Sequence, residues 1–480
     1  MKKKFKSQRL DIFFFLIFSC TIWSHSHAVL TRSSSLECSE VFSRKSVQGS
    51  TFTSDSGSGI VYIVDAYGSG TQIAPTLRDE LQDPNLKIIH IRTQEVTPFY
   101  RSSFHPESFQ QEIVLSDAKA MQAMQKMKPM AIFAGSETGV PVAAQLAQKF
   151  KLQHRLQPQD AADLRSKYRM QQRISAQGLQ SIPFLYTDRP EQALSWNQNR
   201  KPFQQRWPLV IKPDNGIGGT NVYLARNEQD LRQIFEENLK NMNALGFSMD
   251  KLLVQEFIPG PEFSLQFVFL DGHPVISDIW EYIKTPLQGQ PRTLPFYDVD
   301  TLVSPQDPRV QKLIEYSLKS AKALGIKNGP AHFEVKLHNN ETPILVEVGG
   351  RPYGGGSQAL SEKATGRNQV KLMVMAAFRP QEFLKLSRDY QLQQHGMIVQ
   401  FRSEKQGSFH PKAFDEISGL PSVFKMSLNP HFKDGDLIVP TTDLDNTPGL
   451  VQLLSSDPEK LKQDAESIRH FMIQHRFLKE

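Results

Sequence analysis

Residues 332–351 read HFEVKLHNNETPILVEVGGR, and this stretch decides the fold of the middle of the chain. Two runs of residues that alternate between apolar and polar side chains flank Asn339-Asn340-Glu341-Thr342, a tetrapeptide whose residue types favour turns. Alternation with a period of two is typical of β-strands, so the stretch predicts a β-hairpin. We expect opposed residues to lie symmetrically about the four-residue turn.

The predicted hairpin has one apolar face and one charged face. On the apolar face, symmetric pairing places these residues opposite one another: Phe333 with Val348, Val335 with Val346, and Leu337 with Ile344. On the charged face Glu334 opposes Glu347, and two carboxylates with Cβ atoms about 5 Å apart repel each other. A cation bound between them would remove that repulsion, and oxygen-only ligands suit magnesium. Two solvated carboxylates on an exposed face are the alternative interpretation.

A glycine-rich loop lies upstream, within residues 207–225, which read WPLVIKPDNGIGGTNVYLA. Lys212 ends a predicted strand, and the loop that follows carries Gly216, Gly218 and Gly219. Glycines allow backbone N–H groups to approach phosphate oxygens, and a lysine adds positive charge. The loop is neither a Walker A motif nor a dinucleotide fingerprint, because no Gly-Lys-Ser/Thr begins a helix and a strand follows the loop. A glycine-rich hairpin without a ligand is the alternative.

A third element lies in residues 251–269, KLLVQEFIPGPEFSLQFVF. A predicted buried strand runs into Glu256-Phe257-Ile258, a Pro-Gly-Pro turn follows, and Glu262 comes next. Backbone groups at an interrupted strand end are free to meet the edge of a purine, and a carboxylate one turn later can accept hydrogen bonds from ribose hydroxyls. Both glutamates are also compatible with ordinary surface charges.

A chain of 480 residues is too long for one hydrophobic core, so we expect about three domains. Strands at 60–65, 86–92 and 130–135 alternate with glycine turns and helical segments, which predicts a parallel α/β domain. Further along, strands in hairpins with helices at about 228–240 and 309–325 predict an α+β domain. The segment 161–178 is predicted to form one amphipathic helix that ends at a glycine.

The predicted organisation has five parts. They are, in order, a signal peptide at 1–28, a linker at 29–57, an N-terminal α/β domain at 58–155, a central domain at 156–385 and a small C-terminal domain at 386–480.

Charge and cysteine content exclude several classes of protein. The formal net charge is +6, but five basic residues and only one acidic residue lie within residues 1–28, so the remainder is nearly balanced. We therefore expect no nucleic-acid partner. The two cysteines, Cys20 and Cys38, lack the spacing of metal ligands, so the sequence predicts neither a disulfide framework nor a structural zinc site.

The N-terminus has the pattern of an export signal. A basic run is followed by IFFFLIFSCTIW, residues 12–23, and by Ser26-His27-Ala28, which has the small residues of a cleavage site. The apolar run is shorter than the roughly 20 residues of a membrane span. We expect secretion or transport to the periplasm. An uncleaved anchor, or a mis-called start codon and a cytoplasmic protein, are the alternatives.

In chain order these elements resemble the ATP-grasp superfamily. The residues that carry the resemblance are Lys167 in RSKYRMQQRI, and the segments VIKPDNGIGG, VQEFIPGPE and GPAHFEV…LVEVGGR. The spacing of Glu334, Glu347 and Arg351 is most similar to that of the L-amino acid ligases, the group that includes dapdiamide and bacilysin synthetases. The resemblance covers nearly all of residues 58–475. It implies an ATP-grasp fold with an N-terminal parallel α/β domain and a small C-terminal domain.

The resemblance also implies a role for each matching residue. Lys167 and Lys212 would contact the phosphates of ATP, and Gly216, Gly218 and Gly219 would close over the triphosphate as a mobile loop.

The remaining implied roles concern the base, the metal and the substrate. The backbone of Glu256, Phe257 and Ile258 would meet adenine, and Glu262 would meet the ribose. Glu334 and Glu347 would bind Mg²⁺, or Mn²⁺ in its place, and Arg351 would hold the substrate carboxylate or its acyl phosphate.

One position departs from the ATP-grasp pattern, and three further residues are weaker candidates for contact with the substrates. Many ATP-grasp enzymes have Asn two residues after the second metal glutamate, where this chain has Gly349, so the number of metal ions, one or two, stays open. His332 faces the same side as Glu334 and is a candidate for orienting the substrate, with a structural role as the alternative. Glu281 and Lys284 are candidates for the acceptor side.

The activity implied is that of an ATP-dependent carboxylate–amine ligase. The carboxylate would be phosphorylated by ATP to an acyl phosphate, and an amine would then displace phosphate to form an amide. The expected substrates are small molecules, amino acids above all, and a homo-oligomer is compatible with the sequence. The alternatives are an ATP-grasp enzyme of the carboxylase type and a non-catalytic nucleotide-binding protein.

Overall fold

The computed structural model describes residues 59–479 except 94–102, 119–121, 123, 125, 204, 244, 288, 290–291 and 445. The predicted signal peptide and linker lie outside the described residues. Within the described part, no helix has both the length and the apolar character needed to cross a bilayer.

The N-terminal part contains a four-stranded parallel sheet with strand order β3-β2-β1-β4. Its elements are β1 (Ile60–Val64), helix α1 (Ile73–Leu81), β2 (Lys87–Arg92), β3 (Gln111–Val114), β4 (Ala131–Ala134) and α2 (Val140–Lys149). The three predicted strands are confirmed. No sequence pattern predicts β3, because only one of its residues is buried and its side chains do not alternate.

The predicted single helix 161–178 is wrong, because the structure has two helices there. They are α3 (Pro158–Asp163) and α4 (Lys167–Ala176). Ser166 has an extended backbone, and its side chain accepts a hydrogen bond from the backbone N–H of Arg169 at 3.1 Å. A serine in this role is a helix N-cap, so it begins a new helix and ends the previous one. The break places Lys167 at the first residue of α4.

The next part is a four-stranded antiparallel sheet with strand order β5-β8-β6-β7. Its elements are β5 (Phe184–Thr187), α5 (Pro190–Asn199), β6 (Leu209–Lys212), β7 (Tyr223–Ala225), α6 (Glu228–Asn238) and β8 (Leu252–Glu256). Apolar residues of α5 and α6 pack against one face of this sheet in a common core. The glycine loop therefore connects two neighbouring strands, β6 and β7.

An eight-stranded antiparallel sheet forms the largest layer, with strand order β13-β12-β9-β10-β11-β14-β18-β16. Its strands are β9 (Glu262–Leu270), β10 (His273–Thr285), β11 (Phe296–Leu302), β12 (Gly329–His338), β13 (Thr342–Gly349), β14 (His395–Gln400), β16 (Val423–Leu428) and β18 (Gly449–Ser455). A small three-stranded sheet contains β15 (Gly407–Phe409), β17 (Leu437–Ile438) and β19 (Leu478–Lys479). The large sheet thus runs across the predicted boundary near residue 385.

The helices of this region lie between its strands in the chain. They are α7 (Pro308–Ala323), α8 (Gln358–Thr365), α9 (Gln369–Phe378), α10 (Pro380–Phe383), α11 (Asp415–Ser418) and α12 (Pro458–Ile473). The helices predicted at 228–240 and 309–325 are confirmed as α6 and α7 to within two residues at each end.

The carboxylate hairpin has the predicted pairs near the site but a different register near its turn. Glu334 opposes Glu347 and Phe333 opposes Val348, as predicted. The pairs predicted for Val335 and Leu337 are wrong, because these residues oppose Leu345 and Pro343. The residues between the strands are only 339–341, and Asn339 and Asn340 both have left-handed backbones. This shorter turn shifts the pairing by one residue.

A bulge corrects that shift before the strands reach the charged pair. The register changes between Glu334 and Val335, so Val346 is the extra residue on β13. A β-bulge adds one residue to one strand and restores the alternation beyond it. The two carboxylates therefore still face each other.

Candidate active site

One cavity of about 570 Å³ lies between the two antiparallel sheets and the glycine loop. Its lining includes these residues predicted from the sequence: Lys167, Lys212, Gly216, Gly218, Gly219, Glu256, Phe257, Ile258, Glu262, His332, Glu334, Glu347 and Arg351. Lys284 lines the cavity as well. The structure thus brings together residues that are up to 184 positions apart in the chain, from Lys167 to Arg351.

Glu347, one of the two opposed carboxylates, is held by Lys167. Lys167 Nζ lies 2.8 Å from Glu347 Oε2 and also donates to the Gly216 carbonyl at 2.7 Å. Burial alone would raise the pKa of Glu347, but Lys167 and Lys212 together lower it to about 2. Glu347 is therefore ionised at neutral pH, which a metal ligand requires.

The residues present fit a magnesium ion that is shared with a nucleotide. In the described part of the chain, no group of three or more His, Cys, Asp or Glu side chains could hold a metal by itself. Magnesium in such sites is usually bound by one or two carboxylates together with phosphate oxygens and water. Glu334 and Glu347, opposed across two strands and open to the cavity, supply such a pair.

Lys212 carries a buried positive charge at the end of β6. Its side chain is among the buried residues, at 5 % exposure, and it forms no ion pair with any described residue. Burial, followed by the nearby charge of Lys167, lowers the pKa of Lys212 to about 8, against the opposing effect of Glu347 and Glu334. A buried ammonium group without a carboxylate partner favours a bound anion such as phosphate.

The glycine loop is fixed at its base and open at its tip. Asp214 accepts hydrogen bonds from Ser166 Oγ at 2.7 Å and from the Tyr168 backbone N–H at 2.8 Å, which ties the loop to the start of α4. At the tip, Gly218 and Gly219 have φ angles of 59° and 74°, and an added Cβ would meet nothing within 4 Å. The tip therefore has space to close over a ligand.

The side chain of Glu256 is engaged away from the cavity. Arg200 forms a buried ion pair with one carboxylate oxygen, and the Phe203 backbone N–H donates to the other at 2.7 Å. Only the backbone from Glu256 to Ile258 is left for a nucleotide base, which is the role that the sequence resemblance implies. Glu256 itself joins β8 to the segment after α5.

Sequence reasoning missed Gln255, the neighbour of Glu256. Gln255 is 1 % exposed and lines the cavity, and its Nε2 has no hydrogen-bond partner among the described residues. Successive side chains of a strand point to opposite faces, so Gln255 faces the cavity when Glu256 faces away. A glutamine directly after the apolar run Leu252-Leu253-Val254 was the available signal.

Glu262 and Lys284 form an ion pair on the cavity wall. Lys284 Nζ lies 2.7 Å from Glu262 Oε1, and Lys336 Nζ lies 3.8 Å from Oε2. Burial alone would raise the pKa of Glu262, but these two lysines hold it below the ordinary value. Glu262 is thus an ionised acceptor placed next to the backbone for which the resemblance implies contact with the base.

Glu281 is not part of the cavity, so its predicted place on the acceptor side is wrong. Its carboxylate pairs with Arg309 Nη1 at 3.1 Å. Residues three apart on a strand lie on opposite faces, and Lys284 occupies the inner face. Because side chains alternate along β10, the Glu281 side chain cannot face the cavity when the Lys284 side chain does.

His332 connects the carboxylate pair to the neighbouring strand. Its Nδ1 lies 2.7 Å from Gln266 Oε1 and its Nε2 lies 3.2 Å from Glu334 Oε1. The ring packs against Tyr353, with 4.9 Å between ring centroids. These contacts fix the imidazole and also orient Glu334.

Arg351 is held by a residue that the sequence analysis did not select, Glu137. Glu137 Oε1 lies 2.9 Å from Arg351 Nε, and Glu137 Oε2 lies 3.0 Å from Arg165 Nη1. Burial alone would raise the pKa of Glu137, but Arg351 and Arg165 hold it below the ordinary value. Glu137 follows β4, and the carboxyl ends of parallel strands are where such sheets place binding residues.

Gly349 makes room for that carboxylate. A Cβ at position 349 would lie 2.3 Å from Glu137 Oε1. The residue type that departs from the ATP-grasp pattern is therefore explained by Glu137, whose side chain fills the space in which a side chain at 349 would lie.

Comparison with known proteins agrees with this geometry. Residues 205–359 match the family described as the ATP-grasp domain. Dapdiamide A synthase of Enterobacter agglomerans is 26 % identical over 426 residues, which cover 85 % of this chain and 95 % of that protein. The L-arginine-specific L-amino acid ligase of Bacillus subtilis is 25 % identical over 163 residues, 33 % of this chain and 37 % of that protein.

A solved structure confirms the predicted fold class. The L-amino acid ligase from Bacillus licheniformis aligns with a TM-score of 0.65 at 18 % sequence identity, over 87 % of this chain and 98 % of that one. The multidomain α/β and α+β architecture of the ATP-grasp fold is therefore present here, and the resemblance noted in the sequence is confirmed.

Proposed function

We propose that this ATP-grasp ligase activates a carboxylate with ATP and joins it to an amine, forming an amide and releasing ADP and phosphate. The observation that carries the proposal is the position of Arg351 in the same cavity as Lys167, Lys212 and the opposed carboxylates. Phosphate-binding lysines and metal-binding carboxylates would serve any nucleotide site. A further arginine beside them provides a place for a second anion, the substrate carboxylate.

In the first step, the chain's own residues hold the reacting groups in line. Lys167, Lys212 and the glycine loop bind the phosphates, and Arg351 orients the carboxylate. A carboxylate oxygen attacks the γ-phosphorus, the bond from that phosphorus to the ADP oxygen breaks, and an acyl phosphate forms. Magnesium, when bound by Glu334 and Glu347, neutralises charge on the phosphate oxygens.

In the second step, the amine replaces phosphate. Its nitrogen attacks the acyl carbon, the bond from that carbon to the phosphate oxygen breaks, and the nitrogen loses a proton. Arg351 then faces the departing phosphate. No side-chain nucleophile is needed, so the absence of a covalent enzyme intermediate is an expected property of the reaction.

The substrates that we propose are amino acids or small amino acid derivatives, and the product is a dipeptide or a related amide. The support is the similarity to a dapdiamide synthase along most of the chain. We propose Mg²⁺ as the usual metal, with Mn²⁺ as a substitute. That the protein forms a homo-oligomer is a further prediction from the sequence.

The test is a screen of amino acids, singly and in pairs, for ADP release, followed by mass spectrometry of the products. We expect at least one pair to stimulate ADP release and to yield the corresponding amide. Stimulation by bicarbonate instead would favour a carboxylase-type enzyme. Binding of MgATP without stimulation by any pair would favour a non-catalytic nucleotide-binding protein.

We also propose that residues 1–28 direct export, on the strength of their basic and apolar pattern alone. Mass spectrometry of the mature protein isolated from its source would then find Val29 as the first residue. A mature chain that keeps its apolar run would contradict cleavage.

A further inference from the structure

The cavity has a second polar region, at Asp300 on β11. The Asp300 side chain lines the cavity and the residue is only 2 % exposed. Its Oδ1 has no hydrogen-bond partner among the described residues, although Gln400 donates to the carboxylate. A buried carboxylate oxygen without a partner is costly, and buried polar groups in folded proteins are nearly always paired. A ligand that donates a hydrogen bond would satisfy it.

Asp300 lies on the same face of the large sheet as the metal carboxylates. It is opposed to Tyr282, which is opposed to Glu262 on β9. Two residues further along β9, Ser264 is opposed to Glu334. Three strand spacings separate β11 from β12, which amounts to about 14 Å between the two backbones. Both carboxylates therefore project from the same face of the sheet into one cavity.

Aromatic rings line this region, and a cation of the protein lies over them. The rings of Tyr282 and Tyr297 are in contact, with centroids 5.0 Å apart, and Tyr353 hydrogen-bonds to Tyr282. Lys284 Nζ lies 5.8 Å from the Tyr282 centroid and 4.1 Å from the Tyr297 centroid. Aromatic faces attract positive charge, and these two faces serve Lys284.

No cation of the described part of the protein is paired with Asp300. Lys284 is the nearest candidate, but its Nζ is bound to Glu262 Oε1 at 2.7 Å and lies over the ring of Tyr297, 4.1 Å from the centroid. Asp300 forms no ion pair within 4.0 Å among the described residues.

We propose that Asp300 binds the ammonium group of the substrate whose carboxylate is held at Arg351. The activated substrate is then an amino acid with a free ammonium group, and an N-acylated acid is excluded. This inference rests on the proposed function for the identity of the carboxylate end. An ammonium group supplies both the hydrogen-bond donor that Oδ1 lacks and a positive charge opposite the buried carboxylate.

The electrostatics around Asp300 agree with this role. Burial is the main reason that the pKa of Asp300 is raised to about 7. Lys284 and the hydrogen bond from Gln400 oppose the rise, and the nearby carboxylates of Glu262 and Glu334 add to it. A bound ammonium would favour the ionised form, because an opposite charge at short range offsets desolvation.

The experiment compares binding to the wild-type protein and to Asp300→Asn, each loaded with magnesium and a non-hydrolysable ATP analogue. Calorimetry would measure the affinity for each of the twenty standard amino acids and for propionate, which has the carboxylate but no ammonium group. We expect at least one amino acid to bind the wild type more tightly than propionate does. We expect Asp300→Asn to weaken that amino acid by at least about tenfold and to leave propionate unchanged, because only a charged hydrogen bond is lost.

Glu281→Gln is the matched control, since Glu281 lies on the neighbouring strand but outside the cavity. It should bind the same amino acid as the wild type does. If Asp300→Asn does not fold, Asp300→Glu keeps the charge and should bind the amino acid in preference to propionate. Unchanged amino acid affinity in Asp300→Asn, or a wild type that binds no amino acid, would overturn the proposal.

Binding and turnover separate this proposal from the proposed function. If amino acids bind through Asp300 but no pair stimulates ADP release, the ligase function fails and the ammonium site stands. If amino acids stimulate ADP release equally in the wild type and in Asp300→Asn, the ligase function stands and the ammonium site fails.

Discussion

Glu137 Oε1 lies 2.9 Å from Arg351 Nε, and this ion pair joins the parallel N-terminal sheet to the end of the carboxylate hairpin. The same glutamate holds Arg165, whose Nη2 donates to the Asn215 carbonyl in the glycine loop at 3.2 Å. One buried carboxylate therefore connects the residue proposed to orient the substrate with the loop proposed to cover the phosphates.

Gly349→Ala should disrupt this connection without straining the backbone. The added Cβ would lie 2.3 Å from Glu137 Oε1, so the carboxylate must move away from Arg351. We expect kcat for amino acid-stimulated ADP release to fall by about tenfold or more, while KM for ATP stays within about threefold, because a misplaced orienting group affects the reacting geometry most. Steady-state kinetics would measure both.

A double-mutant cycle provides the control for that prediction. If Gly349→Ala acts by displacing Glu137, it should add little to the effect of Glu137→Ala. Additive losses in the double variant would show that the two residues act independently.

Glu347→Gln should abolish ADP formation at a modest cost in stability. The variant removes a charge that we propose binds the metal, and it leaves Lys167 without its carboxylate partner at 2.8 Å. We expect activity to fall by at least about 100-fold and the free energy of unfolding to fall by about 1 to 3 kcal/mol. Glu341→Gln, at the exposed turn of the same hairpin, is the control and should match the wild type. Turnover at the wild-type rate in Glu347→Gln would contradict the metal assignment.

Lys212→Met should bind nucleotide poorly and yet be at least as stable as the wild type. A buried ammonium whose pKa is lowered to about 8 disfavours the folded state at neutral pH. A methionine of similar length removes that cost, so we expect stabilisation of about 1 to 3 kcal/mol by chemical denaturation. Calorimetry should show at least about a tenfold loss of ATP affinity. A less stable variant that binds ATP normally would show that Lys212 is a structural residue.

Because the pKa of Lys212 is lowered to about 8, we also expect the protein to take up protons when it binds ATP. Between pH 8 and 10.5 the folded protein holds fewer protons than the unfolded chain at Lys212, so this group makes the free energy of unfolding rise with pH in that window. Phosphates favour the protonated lysine, so ATP affinity should fall as the pH rises from 7 to 9.

Calorimetry in buffers of different ionisation enthalpy would measure the uptake, which we expect to be about half a proton at pH 8. Lys212→Met should show no such contribution. A wild type whose ATP affinity is constant from pH 7 to 9 would contradict the assigned role of Lys212 in phosphate binding.

Glu256→Gln should destabilise the protein with little effect on its affinity for ATP. Removing one member of the buried pair with Arg200 leaves the other charge without compensation, which costs about 3 kcal/mol or more. The backbone offered to the base is unchanged, so KM for ATP should stay within about threefold. Glu228→Gln, which breaks an exposed pair with Arg232, is the control and should change stability little.

Much of the site was predictable because it lies in short segments with strong local patterns. The period of two in residues 332–351 was enough to predict that Glu334 and Glu347 oppose each other. The bulge at Val346 was not, because it depends on the conformation of the two asparagines in the turn. The predicted pairing at the site was right because the shorter turn and the bulge compensate each other.

Residues that reach the cavity from distant segments were harder to predict. Glu137 and Asp300 sit in the site because of sheet topology, and neither belongs to a motif with a fixed spacing to the others. Gln255 was easier to predict, because side chains alternate along a strand and Gln255 must face the side opposite to Glu256. The division of residues 158–176 into two helices does not follow from helical periodicity, because it depends on the N-cap at Ser166.

The continuous eight-stranded sheet limits how this enzyme can be recombined with its relatives. A chimera joined near residue 385 would exchange β14 while keeping β11, although these two strands share one ladder of hydrogen bonds and Asp300 lies within it. A mismatched partner would leave edge groups of β11 unpaired and would move the wall of the cavity. Grafts intended to change substrate range should therefore transfer the paired strands β11 and β14 together.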